Sequence, residues 1–203
     1  MPDCFTGGFV QTNGYLFQTP DGPWVAVDAP AGMAGYLARR GIVPAALLLT
    51  HQHYDHVEDA AAVAAMGAKI HAWLPYSTDL TLEEMMRSYG MPVEVPPFAV
   101  DVRLEGRDAL EIGGCRMALA HVPGHAVDSV TFFLPETGEL YSGDTLFADS
   151  VGRADLPGGD PRLLIDGIRG KLFTLQEDTV VFPGHGPATS IGAERAGNPY
   201  CSD

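Results

Sequence analysis

The chain is poor in the residues that several common functions require. Among 203 residues there are only three cysteines. Cys4, Cys115 and Cys201 are odd in number, far apart and without a C-x-x-C pair. They read as isolated reduced thiols of a cytoplasmic protein, not as a disulfide framework or a thiolate metal site. Basic residues are equally scarce: 12 Lys and Arg stand against 26 Asp and Glu, for a formal charge of −14. A nucleic-acid surface meets phosphates with Lys and Arg, so no nucleic-acid partner is expected. The acidic field also repels anionic ligands at a distance, whatever bound cations do locally. No apolar run exceeds strand length, which excludes a transmembrane helix, and no membrane partner is expected. MPDCFTGGFV carries an early Asp3 and neither a basic n-region nor an apolar h-region, so it does not read as a signal peptide. Internal repeats, low-complexity tracts and a clear linker are missing too. One domain over residues 1–203 with a full core is the expectation.

What is present is a series of apolar strands that end abruptly in polar residues. Val25–Asp28 and Ala45–Thr50 each read as a buried strand. Val57–Met66 is helical in composition, with Gly67 placed to stop it before a strand at Lys69–Trp73. These segments make a βαβ unit, and the stretch LLLTHQHYDH (Leu47–His56) falls at its first strand-to-helix turn. From Tyr76 to Val100 the pattern loosens. TLEEMMRSYG suggests a short helix and MPVEVPPFAV an irregular segment, which suits a lid and a passive surface excursion equally. Further on, Arg116–His121 is a strand leading into VPGH, and Val130–Leu134 joins Leu140–Ser142 through the turn PETG as a hairpin. Asp160 and Pro161 are an N-cap and first-turn pair for a helix to Leu172, with Leu164, Ile168 and Leu172 on its buried face. Thr179–Phe182 is a last strand, running into PGHGP.

Five segments therefore share one layout of apolar strand, sharp turn and candidate ligand: VAVD, LLLTHQHYDH, ALAHVPGH, LYSGDT and VVFPGHG. In extended chain, residues i and i+2 point the same way, so His51 and His53 can face one cation together. A turn into the helix near Asp55 swings Asp55 and His56 toward a second position. Zinc-like ions in hydrolytic sites take about three protein ligands and a water. His125 and His185, each after Pro-Gly, and Asp144, with two oxygens to bridge, complete both halves. One metal would take His51, His53, His125 and Asp144. The other would take Asp55, His56, His185 and Asp144. A lone histidine is more often a packed residue than a ligand, but three histidines and an aspartate within six residues after an apolar strand are hard to explain by packing. His71, within a strand, reads as structural. His121 stands four residues before His125, but Pro123 and Gly124 rule out a helical ligand pair, so it reads as supporting a ligand or simply packed.

THQHYDH, with VPGH, SGDT and PGHG downstream in that order, resembles the metallo-β-lactamase superfamily. The resemblance implies an α+β fold, a four-layer αββα sandwich with a binuclear site at one edge of the sheets. PGHGPATSIGAERAGNP, with VGRADLPGGD before it, is similar to the glyoxalase II (hydroxyacylglutathione hydrolase) branch, in a short form without the C-terminal helical region. The likeness runs from NGYLF near residue 13 to Pro199, with Ala126, Asp128 and Ala154 where the family commonly has Thr, Gly and Thr. By position, Asp28 matches an aspartate that supports the site, and Arg153 and Asp155 match a loop beside it. A buried Arg153–Asp155 pair bracing that loop is expected rather than substrate contact.

The implied chemistry is hydrolysis by two divalent metal ions sharing a hydroxide, with Asp55 a ligand that can also orient it. Zinc is the first candidate, and His and carboxylate ligands suit iron or manganese too. The implied substrate is a small molecule, a thioester of the acylglutathione type. A mononuclear-iron persulfide dioxygenase is the main alternative, sharing HxHxDH and a GRxD loop. A lactonase and a metal-binding protein without turnover are the others.

Overall fold

The computed structural model describes residues 1–201. Two compact units emerge: Met1–Gly106 with Ile112–Cys115, and Arg107–Glu111 with the chain from Arg116 onward. Among the described residues no helix is long and apolar enough to cross a membrane.

The first unit opens with β1 (Asp3–Gly7), β2 (Thr12–Gln18) and β3 (Trp24–Val27), then α1 (Met33–Arg40) and β4 (Pro44–Leu48). Two short helices, α2 (Tyr54–Val57) and α3 (Ala60–Ala65), lead to β5 (Lys69–Ala72). The short helices α4 (Thr78–Thr81) and α5 (Glu83–Ser88) precede β6 (Val102–Arg103). The strands form one sheet in chain order, antiparallel from β1 to β3 and parallel from β3 to β6. Ala26, Leu47, Leu49 and Ile70 pack with Met33 and Leu37 of α1 and with Val57, Ala60 and Val63. Side chains alternate along a strand, so Val25, Val27 and Leu48 face the other way, and they are buried as well. Burial on both faces is why VAV and LLL are unbroken apolar runs.

The βαβ unit expected around LLLTHQHYDH is present, with Leu48 beside His71 in parallel register. Its helix is not the continuous Val57–Met66 segment that composition suggests. It breaks at Asp59, where φ is −100°. The chain there serves the preceding loop instead of the helix: Ala29 donates to the His56 carbonyl, Asp59 donates to the Ala29 carbonyl, and the Asp59 carboxylate accepts from the Ala34 amide. Gly67 does end α3, with φ at 118° and its amide on the Ala64 carbonyl. The segment Tyr76–Val100 is tied down. Val93, Val95 and Phe98 join the first unit's core, and Glu83 Oε2 accepts from the Val95 amide at 2.8 Å.

The second unit has β7 (Ala109–Ile112) and β8 (Cys115–His121), apart from Ile112 and Cys115 at their joined ends, with β9 (Val130–Leu134), β10 (Glu139–Gly143), β11 (Leu146–Phe147) and β12 (Ser150–Val151). Then come α6 (Pro161–Gly167), β13 (Val180–Pro183), β14 (Thr189–Ser190) and α7 (Ile191–Gly197). Its six-stranded sheet has the order β14-β13-β10-β9-β8-β7, and β11 pairs with β12 separately. The hairpin through PETG is as expected, closed by the Gly138 amide on the Leu134 carbonyl. Asp160 caps α6, accepting from the Arg162 and Leu163 amides at 2.9 and 3.0 Å. The helix expected to reach Leu172 turns π-helical over Ile168–Leu172. Leu164, Ile168 and Leu172 are buried with Leu140, Val181 and Ile191, as the periodicity requires.

Candidate metal centre

In the first unit the ligand candidates sit just past the carboxyl ends of β3 and β4. Parallel pairing sets Val27 beside Leu48, and the chain continues into Asp28 on one strand and Thr50-His51 on the other. Asp28 adopts the left-handed backbone region, φ 58°, which turns its carboxylate back over β4. Its Oδ1 accepts from the Thr50 amide at 2.8 Å, and its Oδ2 accepts from Thr50 Oγ1 at 2.8 Å. His56 Nδ1 lies 2.8 Å from Asp28 Oδ2. An ionised carboxylate only accepts, so Nδ1 carries the proton and His56 presents Nε2. Thr50, whose hydroxyl hydrogen is directed at Asp28, accepts from His51 Nδ1 at 3.1 Å, which leaves His51 presenting Nε2 also. The His51 ring centroid is 4.6 Å from that of His53 and 4.2 Å from that of His56. Asp55 Oδ2 stands 3.4 Å from His56 Nε2 and accepts from Thr12 Oγ1 at 2.6 Å. All of these side chains are buried.

The second unit brings three more candidates to the ends of its strands. Tyr141 of β10 pairs in parallel with Phe182 of β13, and the Gly184 amide donates to the Gly143 carbonyl. Asp144 and His185 therefore leave neighbouring strands side by side. Asp144 Oδ2 is 3.4 Å from His185 Nε2 and 3.5 Å from His125 Nε2. His125 Nδ1 donates to the Arg153 carbonyl at 2.8 Å, again leaving Nε2 to face the carboxylate. The turn before His125 needs its glycine. Gly124 has φ 134°, and a Cβ there would meet the Leu164 amide nitrogen at 2.4 Å.

The remaining expected residues divide. Arg153 and Asp155 do form a bidentate pair, with both contacts at 2.8 Å, but it is not buried. Their side chains are 60% and 69% exposed, because the loop turns its backbone inward and the ion pair outward. The Arg153 carbonyl, not its guanidinium, braces the site. Asp155 is held down at about 2 by hydrogen bonding to that guanidinium. His121 turns away, its Nε2 donating to the Val127 carbonyl at 2.8 Å, and His71 Nδ1 bonds the Lys69 carbonyl within β5. Thr12, Thr50 and Gly152 were missed in the sequence. Thr50 had a signal, since it sits between the apolar run and His51. Gly152 is required because a Cβ would lie 1.9 Å from the Asp144 carbonyl oxygen.

The donor sets suit divalent cations. Two atoms each about 2.1 Å from one tetrahedral ion lie roughly 3.4 Å apart. The three separations between carboxylate oxygen and Nε2 fall at 3.4, 3.5 and 3.4 Å. Those values are long for hydrogen bonds and right for shared ligation.

Residues 7–185 match the family model of the metallo-β-lactamase superfamily. The chain belongs to that superfamily. A B3 metallo-β-lactamase, BLEG-1, is 33% identical, with full coverage of both chains and a TM-score of 0.88. TTHA1623, solved in a di-iron-bound form, is 34% identical over 98% of this chain and 99% of its own, with a TM-score of 0.83. The hydroxyacylglutathione hydrolase GloC of Haemophilus influenzae is 36% identical over 76% of this chain and 74% of its own. The protein is thus a metal-dependent hydrolase of the metallo-β-lactamase superfamily, with its α+β fold and with His and Asp groups fit to bind metal.

Proposed function

We propose that the two clusters are the halves of one binuclear centre and that the enzyme hydrolyses a thioester of the acylglutathione type. The observation that carries the binuclear reading is Asp144, one of whose oxygens faces the Nε2 atoms of two histidines at nearly equal distance. On this reading His51, His53, His125 and Asp144 hold one cation, and Asp55, His56, His185 and Asp144 the other. Likeness to a di-iron-bound protein and to a hydroxyacylglutathione hydrolase supports both parts. Bound there, the cations would supply Lewis acidity and a water acidified to the neutral range. The chain's own residues hold the imidazoles. Asp28, Thr50 and the Arg153 carbonyl each accept a hydrogen bond from an Nδ1–H and so fix the tautomer that offers Nε2. Zinc is our first assignment, with iron or manganese next, and cysteines that form no disulfide, Cys4, Cys115 and Cys201, suit a reducing cytoplasm.

The test is metal content of protein purified without added metal, followed by a thioester panel on wild type and Asp144→Asn. About two ions per chain and turnover of an acylglutathione, both lost in Asp144→Asn, is the expected result. Full metal and full activity in that variant would overturn the binuclear assignment. A single tightly held iron with oxygen uptake on glutathione persulfide would replace hydrolysis by the dioxygenase reading.

A further inference from the structure

Thr12 is the first residue of β2 and is fully buried. Its hydroxyl does not serve its own hairpin. It donates to Asp55 Oδ2, 43 residues along the chain, at 2.6 Å. That length is in the range for a hydroxyl donating to an ionised carboxylate. Each carboxylate oxygen has two lone-pair directions, so Oδ2 can accept from Thr12 along one and hold a cation along the other.

The hairpin leaves Thr12 little freedom to move. Thr12 pairs with Gly7, and a Cβ on Gly7 would lie 2.3 Å from the Ala31 carbonyl oxygen. Gly14, two residues on, has room for no side chain: its Cβ would meet Pro30 Cδ at 2.9 Å and the Asp28 carbonyl oxygen at 3.2 Å. The hairpin is thus pressed onto the same Asp28–Ala31 turn whose aspartate holds His56. Asp55 and His56 are adjacent in sequence, yet they are held from different directions, one by Thr12 and the other by Asp28.

We propose that Thr12 is a positioning residue for one of the two metals: its hydroxyl sets the Asp55 carboxylate in the orientation that ligates beside His56. The inference rests on the binuclear reading above, and its test is built to fail separately from it. Metal-free wild type, Thr12→Val and Thr12→Ser would be titrated with Zn(II) in competition with a chromophoric chelator, which needs no turnover. One equivalent should weaken by about ten- to a hundredfold in Thr12→Val, with the other within about threefold of wild type. Thr12→Ser, which keeps the hydroxyl, should restore it. Two equivalents held as tightly by Thr12→Val as by wild type would overturn the proposal, as would equal weakening of both or a Thr12→Ser no better than Thr12→Val. If wild type itself takes one equivalent, the binuclear reading falls. Thr12 keeps its role in that case only if that equivalent weakens in the valine variant and returns in the serine one. Should Thr12→Val fail to fold, Thr12→Ala compared with Thr12→Ser decides the same question.

Discussion

Asp28 Oδ2 and His56 Nδ1 lie 2.8 Å apart, both buried, and the same carboxylate also takes the amide and hydroxyl protons of Thr50. One side chain in a left-handed backbone conformation therefore ties the end of β3 to the end of β4 and to the turn that opens α2. The aspartate is 28 residues from His56 and touches no reacting group in this reading, yet it decides which nitrogen His56 offers.

Asp28→Asn tests that role cleanly, because asparagine tolerates a left-handed backbone. The variant should fold, and its affinity for metal should drop by about ten- to a hundredfold. Asp28→Ala should lose roughly 1–3 kcal/mol of stability besides, since the buried Thr50 amide loses its acceptor. Metal competition and urea unfolding read the two effects. Wild-type affinity in Asp28→Asn would show that His56 does not depend on this contact.

Gly152→Ala should be severe for its size. The added methyl would stand 1.9 Å from the Asp144 carbonyl oxygen and 3.1 Å from His125 Nδ1. Relief requires moving the backbone that holds both, at a cost of about 1–3 kcal/mol or more, with metal uptake impaired. Gly170→Ala is the control, since a Cβ there meets nothing within 4 Å. Thermal unfolding of the two variants side by side, with metal content, is the measurement.

His121→Ala should leave metal stoichiometry unchanged. Its Nε2 is committed to the Val127 carbonyl, and losing that hydrogen bond should cost about 0.5–1.5 kcal/mol. A missing equivalent of metal in this variant would promote His121 to a ligand.

Arg153→Gln should raise the Asp155 pKa from about 2 toward 3.8. A carboxylate lowered in the folded state stabilises the fold above its unfolded value and loses that contribution as pH falls through the folded one. The window is therefore pH 3.8 down to about 2. Both side chains are exposed, so the effect on global stability should be small. Carboxyl NMR titration reads it directly. Metal uptake should not change, because His125 leans on the Arg153 backbone carbonyl, which the substitution keeps.

The parts of this protein that were legible in the sequence are those that local chemistry decides. LLLTHQHYDH, VPGH, SGDT and PGHG marked all seven ligand candidates, since unbroken apolar strands followed by sharp turns are short-range patterns. The buried face of Leu164, Ile168 and Leu172 followed from helical spacing, and the Asp160 cap from a single residue type. The N-terminal hairpin, α1 and α7 were not anticipated. In β1 the residues alternate only between intermediate and exposed, so its apolar pattern is weak.

What only the tertiary structure decided is which side chains hold the candidate ligands. Thr12 meets Asp55 across 43 residues and Asp28 meets His56 across 28, and neither spacing has a period that sequence could reveal. The break at Asp59 came from hydrogen bonds to Ala29 and Ala34, which outweigh a helical composition. The Arg153–Asp155 pair was readable as a pair, but its outward direction depended on the path of the backbone. Candidacy as a ligand is a property of residue type and local turn. Ligand orientation is a property of contacts between distant segments, and those exist only once the sheets have formed.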